Sequence, residues 1–443
     1  MSQLCIDAAL SAALPGETVE IWIESARTSK VTVVEGEVES SEEEVDLGAG
    51  LRLWQEGRVG FAYTATVTPE AVVEAVAASR ALARHSRADP SHRPPDPGPP
   101  IAATTGPAAP SPSLDGHTAR VDRARRVEAA AHATSADRCR TRSSIACDAE
   151  GHVQVAHSGG LAAAWSWARS WLTLEVVAER DGQRQTGFES DWGRTAEHLD
   201  TERVGRVAAA RALGRFGARP LPTARMNVVL DPLVAAGLFE TLAEGLCGKA
   251  ILRDRSLFVG RVGEVIASPA VTLVDDPTRP GGYDDAPADG EGVPSRRAVL
   301  IQRGVLSGFL HDTWTGTALG GAPGHAVRGG FADPPLAGPR NLHLEPSGPS
   351  REQLLKSVPS GLYVEEFMGL HTVDPVTGDF SLGAVGHALR DGSLAEPVAG
   401  VTVSGSVLSL LRAIEAVADD LRFFSGGGGG STLLLRDMTV GGT

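Results

Sequence analysis

Two glutamates four residues apart, Glu240 and Glu244, have the residue type and spacing that could support acid–base or metal chemistry. They lie in a segment that opens with Asp231-Pro232, an N-cap residue followed by a proline suited to the first helical position. The apolar residues of this segment recur every four positions and predict a helix with one buried stripe: Val234, Leu238, Leu242 and Leu246. The two glutamates share another face of that helix. Glu240 could act as a general base if a metal bound the water that it deprotonates.

The sequence leaves the role of these carboxylates open. One hypothesis is an unusual metal site formed by Glu240, Glu244 and a histidine from the C-terminal half. The histidines there lack the spacing of metal ligands: His311, His325, His343, His371 and His387. The alternative is structural, because a carboxylate on a helix face can simply point toward an interface or a cavity.

The composition favours a globular protein that binds neither nucleic acid nor membranes. The 443 residues are 42% hydrophobic and 22% charged, which suits two or three domains with a sizeable core. The formal net charge of -14 disfavours nonspecific binding to nucleic acid or anionic membrane, so peptides and proteins are better candidate partners. No long apolar run or signal-peptide pattern occurs, and the expected location is cytoplasmic. Four scattered cysteines, none in a Cys-x-x-Cys pair, predict reduced thiols.

Hydrophobic periodicity and proline content divide the chain into four parts. Residues 1–84 show short alternating runs and a capped helix from Thr68-Pro69, which predicts a small N-terminal α/β domain. Residues 85–116 are crowded with prolines, as is typical of a linker. Residues 117–219 predict a mixed α/β middle domain, and residues 220–443 predict a β-rich domain. The expected fold class is α+β, with a C-terminal domain that is mostly antiparallel and barrel-like and carries a few packed helices.

Several local patterns make more specific predictions. The acidic run Ser40–Glu44 predicts a solvated loop between strands, and Gly426–Gly430 predicts a flexible loop. A last helix is predicted from Ser404–Ser406, with this set of residues on its buried face: Val407, Leu411, Ile414, Ala418 and Leu421. Helices are also predicted near 118–134 and 201–215.

Ordered sequence blocks spread over most of the chain carry a family resemblance. The block Gly48–Thr64, followed by a capped helix, resembles the first domain of a known protein family. More specific matches follow in order: Asp275–Asp284, Asp289–Arg297, Leu300–Leu306, Thr377–Gly383 and Leu433–Gly442. On these blocks the chain resembles the TldD/PmbA (TldD/TldE) family of metallopeptidase-related proteins. Blocks that keep both order and register are hard to obtain by chance.

The resemblance implies that this chain lacks the zinc site of its catalytic relatives. Catalytic members carry a His-Glu-x-x-x-His helix, whose histidine places here hold Phe239 and Glu244, while Glu240 keeps the glutamate place. The family's third ligand, a cysteine near the C-terminus, has no match, because Phe424-Ser-Gly-Gly-Gly occupies that region and no cysteine follows Cys247. Catalytic zinc needs about three protein ligands and an open position for water. We therefore expect no catalytic residue and no metal on this chain.

The resemblance further implies a TldE/PmbA-type subunit that pairs with a zinc-bearing TldD-like subunit. Such a heterodimeric metallopeptidase would hydrolyse unfolded peptides, in proteolysis, peptide processing or leader removal, while this chain shapes substrate access. Extended peptides could be held by strand addition to exposed sheet edges. Two rival hypotheses are a stand-alone enzyme with an atypical metal site and a noncatalytic peptide-binding homodimer.

Two pairs of residues are candidate substrate-binding groups. Asp289 and Glu291 stand between glycines and could line a substrate groove, as the resemblance suggests. An acid in such a turn could equally cap its own backbone. Thr377 and Asp379 could belong to a hairpin that faces the peptide, although ordinary turn chemistry would give the same sequence.

Overall fold

The first half of the chain builds one twisted sheet in the computed structural model, which describes residues 2–98, 101, 116–136 and 138–442. Its six strands, in chain order, are β1 (Thr18–Val34), β2 (Glu37–Gln55), β3 (Arg58–Thr64), β4 (Cys139–His157), β5 (Ala162–Arg180) and β6 (Gln183–Gly193). Across the sheet the order is β3-β2-β1-β4-β5-β6, and all neighbours are antiparallel. Because β1 pairs with β4, the N-terminal and middle stretches form one continuous sheet.

Four helices cover the apolar side of this sheet: α1 (Ser2–Ser11), α2 (Pro69–His85), α3 (His117–Ser135) and α4 (Thr201–Gly214). In β1 the alternating residues Val19, Ile21 and Ile23 share a core with α1 and α2, since successive strand residues point to opposite faces. The helices predicted from Thr68, near 118–134 and near 201–215 are confirmed. Thr68 is the N-cap of α2, and its Oγ1 accepts the N–H of Ala71 at 3.3 Å. The opposite face, which carries Trp22, packs against the C-terminal half.

The C-terminal half contains a closed barrel. Its strands in chain order are β7 (Ala224–Leu230), β8 (Leu273–Asp275), β9 (Ala298–Gln302), β10 (Val305–Leu306), β11 (Ala326–Val327), β12 (Leu336–Ala337), β13 (Leu342–Leu344), β14 (Ser360–Met368), β15 (Asp379–Arg390), β16 (Ser393–Ser406), β17 (Ile414–Val417), β18 (Arg422–Phe423), β19 (Gly429–Gly430) and β20 (Leu433–Gly441). Five of them close in the order β16-β15-β14-β7-β20, because β16 also pairs with β20. Of the barrel pairings, β14 with β7 is parallel and the others are antiparallel. The predicted α+β class with a mostly antiparallel, barrel-like C-terminal domain is confirmed.

Short helices pack on and around the barrel: α5 (Pro232–Ala243), α6 (Gly248–Leu252), α7 (Thr313–Leu319), α8 (Arg351–Lys356) and α9 (Val407–Ala413). Helix α5 shares one large hydrophobic core with the barrel strands. None of the helices in the described part of the chain has the length and apolar character needed to cross a bilayer.

The structure corrects the predicted last helix. Helix α9 ends at Ala413, and Ile414–Val417 forms a strand that pairs with β20. A shift of register between Ile414 and Ala416 lets both Ile414 and Val417 be fully buried. A bulged strand can therefore produce the same apolar spacing as a helix, which is why periodicity alone misassigned it.

The acidic run is also placed differently from its prediction. Ser40–Glu44 belongs to strand β2 and pairs with Lys30–Thr32 and their neighbours on β1. These residues are largely exposed, because β3 pairs only with Ala49–Gln55 and leaves this end of β2 at the edge of the sheet. The run is solvated as predicted, but it is not a loop.

The first part of the proline-rich segment is packed against the sheet. The N–H of Asp89 donates to the carbonyl of Gly57 at 2.8 Å, and His157 Nε2 lies 3.1 Å from the carbonyl oxygen of Pro95. The predicted linker continues over residues 102–115, which lie outside the described residues. The proposed domain boundaries stay predictions.

The close packing of β3 on α2 makes a stability prediction. A Cβ at Gly60 would lie 1.9 Å from the carbonyl oxygen of Ser79, a backbone atom that cannot move alone. We expect Gly60→Ala to lower the free energy of unfolding by about 1–3 kcal/mol through overpacking, measured as a lower urea midpoint by circular dichroism. Gly308→Ala is the matched control, because a Cβ there meets no atom within 4 Å. Equal midpoints for the two variants would contradict this packing.

Candidate functional site

Helix α5 is fixed at its start by a network of side chains. The Asp231 carboxylate accepts the N–H of Leu233 at 3.1 Å, which caps the helix, and Pro232 follows at the first helical position. The same carboxylate accepts the Tyr363 hydroxyl at 2.8 Å and lies 3.3 Å from Arg211. These bonds tie α5 to strand β14 and helix α4. The predicted apolar stripe is confirmed as buried: Val234, Leu238, Leu242 and Leu246.

Phe239 points into the protein interior. Its side chain is only 2% exposed and belongs to the core that α5 shares with the barrel. A phenyl ring has no lone pair to offer a metal. The first of the expected histidine places is therefore a hydrophobic packing position.

Glu240 lies on the outer side of α5 and contacts the glycine-rich segment. Its Oε1 accepts the N–H of Gly428 at 2.8 Å. Partial burial raises the pKa of Glu240 above its usual value, and the Gly428 N–H limits that rise. The carboxylate thus has a defined backbone partner.

The segment Gly426–Gly430 is packed and does not behave as the predicted flexible loop. Gly429 and Gly430 form a short strand pairing with Arg422 and Phe423. A Cβ at Gly430 would lie 1.8 Å from the carbonyl oxygen of Pro232, and one at Gly428 would lie 2.2 Å from Glu240 Oε1. The glycines are needed here because only a residue without a side chain can approach α5 this closely.

The helix ends at the second expected histidine place. Glu244 is exposed and begins a short 3₁₀ turn, Glu244–Leu246. Cys247 follows, and its thiol donates to the carbonyl of Ala243 at 3.2 Å. Burial, with help from nearby carboxylates, raises the pKa of Cys247 to about 12, so the sulfur stays protonated at neutral pH.

The donor set around α5 does not fit a zinc ion. Phe239 contributes no donor, Glu240 accepts a hydrogen bond from Gly428, and Cys247 is a buried thiol that donates to the carbonyl of Ala243 at the end of α5. Within the described ranges, no group of three or more His, Cys, Asp or Glu side chains could hold a metal ion.

The C-terminal histidines are dispersed over separate environments. His325 Nδ1 lies 3.0 Å from Asp275, and His343 Nδ1 lies 2.8 Å from the carbonyl oxygen of Asn341. His387 contacts Glu365 at 3.4 Å, whereas His371 is exposed in the 3₁₀ turn Leu370–Thr372. His311 contacts Thr315, and burial lowers the pKa of His311 to about 4. Among the described residues they do not assemble the atypical metal site with Glu240 and Glu244.

Asp289 and Glu291 occupy one buried turn but have different surroundings. The Asp289 carboxylate accepts the backbone N–H groups of Glu291, Val293 and Ala326 at 2.9 to 3.0 Å. Burial and the neighbouring Glu291 charge raise the pKa of Asp289 to about 7. Its oxygens are occupied by the backbone, as in the capping alternative.

Glu291 joins the two halves of the fold. One oxygen accepts a hydrogen bond from Arg52 on β2 at 2.8 Å, and the other accepts the N–H of Thr313 at 2.7 Å. Glu291 also lines a cleft between the first sheet and the C-terminal half. The sequence singled out Glu291 but not its partner. In the sequence, the only indication that Arg52 has a special role is its position as a charged residue between Leu51 and Leu53 in a predicted strand.

Thr377 lies in an exposed turn between β14 and β15, and Asp379 is the exposed first residue of β15. The Asp374 carboxylate accepts the N–H groups of Val376 and Thr377, and Thr377 Oγ1 accepts the N–H of Asp379 at 3.2 Å. Leu370, earlier in the same connection, lies near α5, because a Cβ at Gly237 would lie 3.4 Å from its side chain. The pair itself lies beside the start of α9, since the N–H of Val407 donates to the carbonyl of Gly378 at 2.8 Å. Asp289 and Glu291 lie at the junction of the two halves.

Comparison with known proteins gives the same family over nearly the whole chain. Residues 223–442 match the PmbA/TldA metallopeptidase C-terminal domain, residues 19–83 match domain 1 and residues 111–216 match the central domain. The chain is 29% identical over 432 residues to a metalloprotease PmbA from Escherichia coli O157:H7, covering 96% of this chain and 92% of that protein. It is 31% identical over 262 residues to a metalloprotease TldD homolog from Haemophilus influenzae, covering 56% and 54% of the two chains.

A solved structure shares the fold. The crystal structure of TldE from Thermococcus kodakarensis superposes with a TM-score of 0.89 at 21% sequence identity, covering 99% of each chain.

The state of the cysteines provides a test of the site. All four are buried, and burial raises the pKa of both Cys147 and Cys247 to about 12. At pH 8 a thiol of that pKa is ionised in only about one molecule in ten thousand, and the thiolate is the reactive form. We expect no reaction of the native protein with Ellman's reagent over minutes, and reaction of all four thiols after denaturation. Rapid native labelling of Cys247, located by mass spectrometry, would show an accessible thiolate and contradict this geometry.

Proposed function

Because this chain belongs to the PmbA/TldD metallopeptidase family, we propose that it is the TldE/PmbA-type subunit of a heterodimeric peptidase whose zinc is held by a TldD-like partner. The observation that supports this proposal is the chemistry of the three ligand places. Phe239 is buried in the core, Glu244 lies beyond the end of α5, and the C-terminal place holds glycines instead of a cysteine. The complex acts on unfolded peptides in the cytoplasm, in proteolysis, peptide processing or leader removal.

In this proposal the chain shapes access to substrate and does not perform the bond cleavage. Thr377 and Asp379 are exposed beside the start of α9 and can meet an extended peptide. Glu291 faces a cleft, and Asp289 holds the turn that carries Glu291. An extended chain can also add to the edge of β2 before Ala49, which β3 does not pair and no other described strand covers. Recognition of main-chain groups there tolerates varied sequences.

Metal content and assembly test this proposal together. The isolated chain is expected to bind zinc well below one ion per molecule and to leave unfolded peptides intact. After co-expression with a TldD-like protein from the same organism, we expect a stable complex with zinc bound in the partner and with peptidase activity. Metal analysis of the purified species and a casein-derived peptide assay measure both results.

Two results would overturn the proposal. One is stoichiometric zinc on the isolated chain that is lost, together with peptide cleavage, in Glu240→Ala but not in the exposed control Glu352→Ala. The other is a chain that never associates with a TldD-like protein.

The role of Glu240 gives a sharper prediction within the complex. Glu240→Gln keeps an oxygen that can accept the Gly428 N–H, so the packing of α5 is preserved while the basic carboxylate is removed. We expect kcat within about twofold of the unmodified complex. Gln at the glutamate of the partner's zinc helix should instead lower kcat by about 10²–10⁴, the usual contribution of a general base. A loss of that size from Glu240→Gln would make Glu240 a catalytic residue.

A further inference from the structure

A cleft of about 860 Å³ lies between the first sheet and the C-terminal half, and Phe239, Glu240 and Glu244 are not among its lining residues. Strands β2 and β3 and the segment Arg87–Arg93 form one wall, and helices α6 and α7 form the other. Its volume falls within the range of about 300–1,000 Å³ that is typical of ligand sites.

The cleft contains cations that have no carboxylate partner. Lys249, the second residue of α6, and Arg253, directly after that helix, line the cleft together with Arg87. Within the described ranges, none of these three side chains is within ion-pair distance of a carboxylate; other arginines, such as Arg93, do have such partners. In a chain of net charge -14 this is a local excess of positive charge.

The carboxylates of the cleft are already engaged by fixed donors. Asp89 accepts the Ser91 N–H at 2.8 Å and the Trp314 indole N–H at 3.0 Å. Asp312 caps α7 by accepting the N–H of Thr315 at 2.8 Å, and Glu291 is paired with Arg52 at 2.8 Å. They therefore leave the three cations available to an anion from outside.

Aromatic rings line the cleft beside these charges. Trp54, Phe61 and Trp314 are all lining residues. The guanidinium of Arg52 lies 4.5 Å from the ring centre of Trp54, and the His92 ring lies 5.1 Å from that of Trp314. Such surfaces favour an apolar or aromatic group next to the anion.

We propose that this cleft binds a short peptide segment that bears a carboxylate next to an apolar side chain. Lys249, Arg253 and Arg87 receive the carboxylate, and Trp54, Phe61 and Trp314 receive the apolar side chain. A polyphosphate fits less well, because its several charges would approach the fixed carboxylates of Asp89, Glu291 and Asp312. The inference rests on the proposed function only in taking the ligand to be a peptide.

The carboxylate can come from an acidic side chain or from a peptide C-terminus, and a set of labelled peptides separates these sources. The probes carry an uncharged N-terminal BODIPY label and are Ala-Leu-Ala-Glu-Phe-Ala with an amidated C-terminus, its Glu-to-Gln analogue with a free C-terminus, and the Gln analogue with an amide. A Glu-to-Lys amide completes the set. Fluorescence anisotropy with the isolated full-length chain measures binding. We expect one or both carboxylate-bearing peptides to bind more tightly than the neutral and Lys peptides, and less tightly as salt increases.

Matched variants connect this binding to the cleft. The double variant Lys249→Gln/Arg253→Gln should weaken binding of the carboxylate peptide at least about tenfold, since it removes two of the three cations that receive the anion. The control Lys356→Gln/Arg142→Gln removes the same charge from exposed positions outside the cleft and should change Kd less than about twofold. Arg87→Gln, at another exposed lining position, provides a second independent variant.

The peptide-binding result can be interpreted independently of the co-expression experiment with the TldD-like partner. Co-purification of the cleft variant with the TldD-like partner tests the proposed function and does not depend on the cleft. No binding by any peptide, equal binding of neutral and carboxylate peptides, or an unchanged Kd in both cleft variants would overturn the inference, whatever the outcome of co-purification.

Discussion

The approach of the glycine segment to helix α5 is the constraint on which the site depends. At Gly428 and Gly430 a side chain would collide with Glu240 and with the backbone of Pro232, so the segment can close on the helix only as bare backbone. The Gly428 N–H then satisfies the Glu240 carboxylate directly. A backbone hydrogen bond and a buried phenyl ring thus hold this helix in place.

A second set of interactions joins the sheet to the C-terminal half. Arg52 bonds to Glu20 within the sheet and to Glu291 across the junction, while Arg328 reaches back to Glu20 at 2.6 Å. Burial disfavours the charge of Glu20, but Arg52 and Arg328 outweigh that effect and hold the pKa of Glu20 below its usual value. The charges of two arginines and two glutamates balance in this network. Removing one of the four side chains would leave a buried charge unpaired and would lower the free energy of unfolding by about 3–5 kcal/mol. This network fixes one wall of the cleft and holds Glu291 at its edge.

Local signals in the sequence are sufficient to predict the helices that carry their own capping residue and an apolar face. Helices α2 and α5 begin with a capping residue followed by proline, and both lie where these signals place them. Prediction from the sequence fails where contacts between separate segments determine the local structure. Ile414–Val417 joins β20 as a strand, and packing against α5 orders the glycine segment. Neither partner is close in sequence, so no local pattern can reveal the contact.

For the site, the sequence identifies the residues that stand at the expected ligand places, but it does not identify the atoms that contact them. Phe239 and Glu240 could be picked out from their positions in the helix. The partner of Glu240 is a backbone N–H 188 residues away, and the partner of Glu291 is an arginine 239 residues away. The cleft was missed for the same reason, because its cations and aromatic rings come from distant segments that only the folded chain brings together.

Amide hydrogen–deuterium exchange of the segment 424–432, with and without EDTA, tests the central claim most directly. If Gly428 is held by Glu240 without a metal, its amide exchanges slowly in the isolated chain and EDTA leaves the rate unchanged. Exchange at the rate of an unstructured chain, or an increase in rate on adding EDTA, would contradict this account of the site.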